Sequence, residues 1–86
     1  MSDHPSRYTG PDFLGHVKTL IESAIAGARA EVSGGGGHYT IAVAASAFAG
    51  KPILEQQRMV YSVISDLMKG NDAPIHAVDK LTTKSL

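Results

Sequence analysis

The chain has 86 residues, of which 43% are hydrophobic and 19% are charged, so it is predicted to form one domain with a modest core. Eight basic and eight acidic residues cancel, which removes the simplest argument for a protein that binds the phosphate backbone of nucleic acid. The chain has no cysteine, which excludes a disulfide framework and any metal site built from its own thiolates.

The chain begins with a polar stretch, and we expect residues 1–10 to be a flexible lead. These residues lack the apolar segment of a secretory signal, and no apolar run in the chain approaches the roughly 20 residues of a membrane span. The sequence therefore predicts a cytoplasmic protein that has no membrane partner.

The first helix is predicted over residues 11–28. Pro11 is tolerated in a first helical turn, and the carboxylate of Asp12 is favourable near the positive end of the helix dipole. Apolar residues then recur every three or four positions, which is the spacing of one helical face. They are Phe13, Leu14, Val17, Leu20, Ile21, Ala24, Ile25 and Ala28.

A hairpin is predicted after this helix. Residues 30–32 have the composition of a short strand, and residues 34–37, all glycine, follow as a flexible tip. Over residues 38–45, large apolar residues alternate with smaller ones, which is typical of a strand covered on one face. We expect this segment to be the central strand of the sheet.

The connection over residues 46–52 is predicted to be compact, with Phe48 in the core, a bend at Gly50 and a second helix beginning at Pro52. The apolar face of that helix is predicted to contain Ile53, Leu54, Val60, Val63, Ile64, Leu67 and Met68. The residues expected to face solvent are Glu55, Gln56, Arg58, Ser62 and Asp66. Tyr61 is expected in the core or at its edge.

The last strand is predicted over residues 75–81, which completes an α+β fold. The element order is helix, strand, strand, turn or short helix, helix, strand. Packing both helices on one face of a three-stranded mixed sheet would bury every apolar stripe at once. The predicted domain covers residues 11–82, and residues 83–86 are expected to form a short tail.

Two histidines stand at predicted strand starts, His38 and His76. One helix separates these strands, and strands joined by a single helical crossover are normally parallel, so both histidines are predicted on the same edge of the sheet. This placement makes them a candidate pair of metal ligands. A structural role for His76, or an exposed turn position for His38, stays open as the alternative. The sequence also does not fix the strand register, so it leaves open whether both imidazoles emerge on one face of the sheet. His4 and His16 are read as background residues.

Four spaced motifs resemble those of BolA-like proteins and extend over about residues 13–83. They are Gly37-His38-Tyr39-x-Ile41-x-Val43, Phe48-x-Gly50-Lys51, Gln57-Arg58-x-Val60-Tyr61 and Ile75-His76-Ala77-Val78. The resemblance implies a fold akin to class II KH domains, in agreement with the element order above. No nucleophile elbow, carboxylate pair or metalloprotease spacing occurs, so we do not expect an enzyme.

The resemblance also implies a partner, a monothiol glutaredoxin, and a [2Fe-2S] cluster shared between the two proteins for iron-sulfur trafficking or iron regulation. His76 matches the family's cluster ligand, and His38 lies where many members carry a second ligand. This chain can supply only imidazoles, so a glutaredoxin cysteine and the glutathione thiol would complete the set, and the isolated chain would hold no cluster. The free chain is expected to be a monomer or a weak dimer.

The chain departs from the family pattern at two places. Many relatives carry a histidine within the helix motif, where this chain has Gln56-Gln57-Arg58, and the paired glutamines resemble an acid-stress BolA paralogue. The family's C-terminal extension is also missing after Thr82.

The alternative function is a DNA-binding regulator of morphology and stress responses, a role described for some bacterial members. Residues 46–64 can be drawn as a helix-turn-helix, with Lys51, Gln56, Gln57 and Arg58 near the start of the second helix. Of these, Lys51, Gln57 and Arg58 are the candidates for contacts with nucleic acid or with a protein partner.

Overall fold

The computed structural model describes residues 10–86, with side chains from Asp12 onward. The elements are α1 (Gly10–Ala24), β1 (Arg29–Gly35), β2 (His38–Ala45), a 3-10 turn (Ser46–Phe48), α2 (Ile53–Ile64), a second 3-10 turn (Ser65–Met68) and β3 (Ala77–Ser85). The predicted element order is confirmed. None of the helices in the described part of the chain has the length and apolar character needed to cross a bilayer.

The sheet has the order β1-β2-β3, with β1 antiparallel and β3 parallel to β2. Along β2, Tyr39, Ile41 and Val43 are buried against α1 and α2, whereas alternate residues face the other side of the sheet. The predicted mixed sheet with both helices on one face is therefore confirmed, and we call the uncovered side the outer face. The core contains Phe13, Val17, Ile21, Ile25, Ala30, Tyr39, Ile41, Val43, Ala45, Phe48, Val60, Ile64 and Ile75.

The hairpin between β1 and β2 is tighter than predicted. β1 continues to Gly35, which pairs with His38, so only Gly36 and Gly37 form the turn and the predicted four-residue tip is wrong. Both turn residues have positive φ, +62° and +87°, as a type I′ turn requires. Glycine adopts these angles without steric cost, so the sequence selects a short, defined turn.

The predicted end of α1 is also wrong, since the helix ends at Ala24 and not at residue 28. Gly27 has a φ of +68°, which takes the chain out of the helical path. The carbonyl oxygen of Ala26 then accepts the backbone N–H of Ala47 at 3.2 Å, a bond to the connection after β2. At the other end, the helix begins at Gly10, and residues 1–9, including His4, lie outside the described residues.

β3 is longer and later than predicted, since it begins at Ala77 and continues to Ser85. The prediction of a tail over residues 83–86 is wrong, because the strand pairs with β2 along its whole length and Ser85 lies opposite Ala45. The N–H of Leu86 donates to the carbonyl of Ala45 at 3.2 Å. The length of the central strand therefore sets the length of β3.

One residue of β3, Asp79, is the extra residue of a β-bulge. Val78 pairs with Tyr39, whereas Lys80 pairs with the next residue of β2. Val78 and Leu81 are three positions apart, so in a regular strand they would face opposite sides of the sheet. The bulge turns both toward the core, where they are partly buried, and it leaves Lys80 exposed.

The buried face of α2 includes an unexpected polar residue. Gln56 was predicted to face solvent, but it is 5% exposed, and its Nε2 donates to the carbonyl of Lys51 at 2.9 Å. Val60 and Ile64 continue the same face, each separated from the previous residue by one helical turn. Phe48 is fully buried, as predicted, so the connection before α2 is anchored by one aromatic ring and one amide.

The apolar residues at the start of α2 face outward, because Gln56 occupies the inward position in this part of the helix. Ile53 and Leu54 are 54% and 58% exposed, which corrects their predicted place on the buried face. Tyr61 was expected at the core or its edge, but it is 38% exposed. Arg58 faces solvent, as predicted.

A pair of α1 side chains covers the free edge of β1. The Oε2 of Glu22 accepts from Lys18 Nζ at 2.8 Å and from the backbone N–H of Ala30 at 2.9 Å, and Lys18 Nζ donates to the carbonyl of Ala30 at 2.8 Å. The two side chains thus satisfy the N–H and C=O that a further strand would otherwise pair with, which protects part of an exposed sheet edge.

The variant Glu22→Gln tests this contact through the pH dependence of stability. The hydrogen bond from Lys18, and then that from the Ala30 amide, lowers the pKa of Glu22 from its usual value of 4.5. Because the folded-state pKa is the lower one, the charge on Glu22 stabilises the fold above about pH 4.5, and this stabilisation is lost as the pH falls through the folded-state pKa. We expect urea unfolding to show a less stable variant at neutral pH and a difference that shrinks in acid.

The matched control is Glu31→Gln, which removes an exposed strand carboxylate that makes no ion pair among residues 10–86. It should change stability little at either pH. A stability difference for Glu22→Gln that stayed constant from neutral to acidic pH would contradict the assignment.

Candidate functional site

The structure brings His38 and His76 to the same edge of the sheet, as predicted. His38 is the first residue of β2, and it lies opposite Ala77, the first residue of β3. The carbonyl oxygen of Gly37 accepts the N–H of His76 at 2.8 Å and the N–H of Ala77 at 3.0 Å. Each histidine is therefore adjacent in sequence to a residue in this hydrogen-bonded junction, and we call the two side chains the histidine edge.

The two histidines have different surroundings. His38 is on the outer face, its side chain is 59% exposed, and its Nδ1 lies 3.2 Å from Oδ1 of Asp79. The exposed His76 ring packs beside the backbone of Gly37, where a Cβ atom would lie 2.7 Å from its Cδ2. Gly37 therefore serves two purposes, a positive φ in the turn and space for the second imidazole.

The histidine edge carries two side chains of a type that binds metal ions. Neutral imidazole nitrogens bind iron, zinc or copper, and both rings can be reached from solvent. Within residues 10–86, no group of three or more histidine, aspartate or glutamate side chains is arranged to hold a metal ion. A pair of imidazoles fits one half of an iron-sulfur ligand set, and the other half needs donors from another molecule.

The other predicted contact residues, Lys51, Gln57 and Arg58, lie just before α2 and in its first half. α2 begins after the C-terminal end of β2 and returns the chain toward the start of β3, so its 12 residues span about 18 Å between the two ends of the sheet. Lys51 is exposed just before this helix, and half-buried Gln57 and exposed Arg58 are its fifth and sixth residues. Among residues 10–86, none of these three side chains makes an ion pair or side-chain hydrogen bond with His38 or His76.

The predicted helix-turn-helix is incomplete. The segment before α2 is a 3-10 turn of three residues, Ser46–Phe48, which is too short to act as the first helix of that motif. Its only large side chain, Phe48, is buried in the core. Lys51, Gln57 and Arg58 are of residue types that contact nucleic acid, but the structure does not place them in a two-helix motif.

Sequence reasoning missed an exposed surface on α2, the α2 patch, which consists of Ile53, Leu54, Arg58 and Tyr61. Leu54 and Tyr61 are seven positions apart, so two helical turns place them on one face with Arg58 between them. The helical period did offer a signal, because Gln56 lies one turn before Val60 and therefore on the same, inward face. The sequence does not show that its amide has a backbone partner, the carbonyl of Lys51, which makes this burial possible. Asp79, beside His38, was missed as well.

A cleft of about 390 Å³ lies on the outer face, away from the histidine edge. It is formed near the C-terminal ends of β2 and β3, whereas both histidines belong to the strand starts. Its floor contains the small side chains of Ala42 and Ala44. The lining residues are Arg29, Glu31, Ala42, Val43, Ala44, Thr82, Thr83 and Lys84.

Known proteins match this chain in sequence and fold. The model of the BolA-like protein family matches residues 16–85, which include the histidine edge and α2. A BolA homologue from Coxiella burnetii is 28% identical with a TM-score of 0.68, and the match covers 83% of this chain and 87% of that chain. The protein XC975 is 37% identical with a TM-score of 0.55, over 80% of this chain and 82% of that chain.

A more distant structure shares the fold. BolA1 from Mus musculus is 23% identical with a TM-score of 0.67, and the match covers 99% of this chain and 74% of that chain. At this identity the likeness concerns the fold alone. No curated protein matches the chain at a significant level.

The variant Gly37→Ala should disturb both the turn and the second imidazole. An alanine with positive φ costs about 1–2 kcal/mol of folding free energy, and the added Cβ would also collide with the His76 ring. Gly36→Ala is the matched control, because Gly36 also has positive φ, but a Cβ added there would meet no other atom within 4 Å. We expect the larger loss of unfolding free energy, and a shift of the His76 ring NMR signals, only for Gly37→Ala.

Equal stability losses in the two variants, with the His76 signals unmoved in both, would contradict the packing of His76 on Gly37.

Proposed function

The chain belongs to the BolA-like family, and we propose that it is an adaptor that pairs with a monothiol glutaredoxin and shares a [2Fe-2S] cluster with it. The observation that carries this proposal is the histidine edge, in which the exposed imidazoles of the first residue of β2 and of the residue just before β3 lie beside one backbone junction. The family is generally one of non-enzymatic regulators and adaptors, which agrees with a binding role.

The ligand count supports a cluster shared between two proteins. A two-iron cluster takes four protein or thiol ligands, and two imidazoles on one iron give a Rieske-like arrangement. The chain has no cysteine, so His38 and His76 are the ligands it can offer at this edge. A glutaredoxin cysteine and the thiol of glutathione would supply the remaining two.

The exposure of both rings favours transfer of the cluster as cargo. Neither histidine is enclosed, so a partner can approach the edge without unfolding any part of the domain. The tight turn at Gly36 and Gly37 replaces the mobile loop expected from the sequence, so the His38 backbone is held in place before the partner arrives. A preorganised ligand lowers the entropy lost on binding.

A cytoplasmic location and a role in iron-sulfur trafficking or iron regulation are part of the same proposal. Regulation through DNA, with contacts from Lys51, Gln57 and Arg58, stays a prediction. No feature of the described residues favours it over the glutaredoxin partnership, because the two-helix geometry is missing at this end of the domain.

Reconstitution with a monothiol glutaredoxin, glutathione, iron and sulfide tests the proposal. The mixed complex should show visible absorption and circular dichroism spectra distinct from those of the glutaredoxin homodimer. His76→Ala should lower the amount of mixed complex formed at least about tenfold, and His38→Ala should alter its spectrum. Removing a group that only hydrogen-bonds to a metal ligand typically lowers metal affinity about 10–100-fold, and removing the ligand itself should cost at least as much. His16→Ala, a change to an exposed histidine on α1, is the matched control.

A spectrum indifferent to His76→Ala, or no mixed complex with the unaltered chain, would refute this function. Affinity for a DNA duplex that falls steeply with salt and is weakened by Lys51→Ala or Arg58→Ala would instead support the regulator.

A further inference from the structure

We infer that Asp79 is a positioning residue for His38: it holds the imidazole as the tautomer protonated on Nδ1 and so presents Nε2 as the ligating nitrogen. This inference rests on the proposed function for the identity of the metal group. The orientation of the ring is a property of the free chain, and it can be measured without a partner or a cluster.

The contact between the two side chains defines the tautomer. Nδ1 of His38 lies 3.2 Å from Oδ1 of Asp79, within hydrogen-bond distance. An ionised carboxylate only accepts hydrogen bonds, so the neutral imidazole must carry its proton on Nδ1 to make this bond. The lone pair is then on Nε2, at the far side of the ring, where a metal can bind.

Asp79 is the extra residue of the β-bulge, between the pairs Tyr39–Val78 and Thr40–Lys80. Without the extra residue, Asp79 would lie opposite Thr40, and Lys80 would lie opposite Ile41 on the core side. The bulge keeps Lys80 out of the core. Asp79 lies on the outer face, where its carboxylate contacts His38.

The arrangement has the chemistry of a ligand with an outer partner. Metal-binding histidines commonly donate their second ring N–H to a carboxylate, which fixes the ring and makes the ligating nitrogen more basic. The side chains of His38 and Asp79 are 59% and 57% exposed, so a partner can reach Nε2 while the Nδ1 contact persists. Among residues 10–86, His76 has no comparable carboxylate contact.

The difference between the histidines predicts different roles in the shared site. His38 is oriented by a hydrogen bond, whereas His76 is confined by its packing on Gly37. Removing Asp79 should therefore weaken the contribution of His38 and leave that of His76 unchanged.

The test measures the ¹⁵N chemical shifts of the His38 ring in the free chain, at a pH where the imidazole is neutral. The unaltered chain should show mainly Nδ1 protonation. Asp79→Ala should change the tautomer ratio about two- to five-fold toward Nε2 protonation, the effect expected of an exposed charged contact. Asp79→Asn keeps an acceptor oxygen and should restore part of the preference.

The control is Glu31→Ala, which removes a different exposed carboxylate of the sheet and should leave the ratio unchanged. A His38 ratio indifferent to Asp79→Ala, or equally sensitive to Glu31→Ala, would overturn the inference. This result does not depend on the glutaredoxin, so it is distinct from a failure of the proposed function, which is seen when the unaltered chain forms no mixed cluster.

In the mixed complex, Asp79→Ala should shorten the lifetime of the cluster severalfold, whereas the same change in a His38→Ala background should have no further effect. Pulsed EPR of the reduced cluster, with ¹⁵N placed selectively in the histidine rings, should report coupling to Nε2 of His38. Coupling to Nδ1, or an equal loss of lifetime in the His38→Ala background, would overturn the role of Asp79.

Discussion

The carbonyl oxygen of Gly37 accepts two backbone hydrogen bonds, from His76 and Ala77, and these bonds attach the hairpin turn to the start of β3. The junction lies beside the first parallel pair, His38 with Ala77, and the bulge at Asp79 then shifts the register by one residue. It also demands a glycine, because the turn needs positive φ and the His76 ring occupies the space of a side chain. One small residue thus serves the turn, the start of the pairing between β2 and β3 and the packing of the His76 ring.

Much of the architecture could be predicted because most core positions are apolar residues at regular strand or helix spacing. The alternation at Tyr39, Ile41 and Val43 identified the central strand, and the crossover rule placed both histidine-bearing strand starts on one edge. Prediction failed where a polar side chain or an extra residue interrupts the period. Gln56 is buried because its amide meets a backbone carbonyl, and Asp79 is displaced by a bulge, and neither interaction can be read from the apolar period.

The two faces of the sheet have different roles: the inner face forms the core and the outer face is exposed. The inner face carries the core, and substitutions there would act on stability before they act on any partner. The outer face and the strand starts carry exposed polar groups, including His38 and Asp79, whose removal leaves no cavity in the core. Because α2 lies on the inner side and begins at the other end of the sheet, the α2 patch offers a second surface that a partner could contact independently of the histidine edge.

The junction at Gly37 has a consequence for the order of folding. The β1–β2 hairpin pairs residues close in sequence and can form within about 1–10 μs, whereas His38 and Ala77 are about 40 residues apart and must wait for a long loop to close. A chain in which this long loop has not closed lacks the two imidazoles at one edge. Under the proposed function, the ligand pair would therefore depend on pairing between β2 and β3, the contact most distant in sequence along this edge.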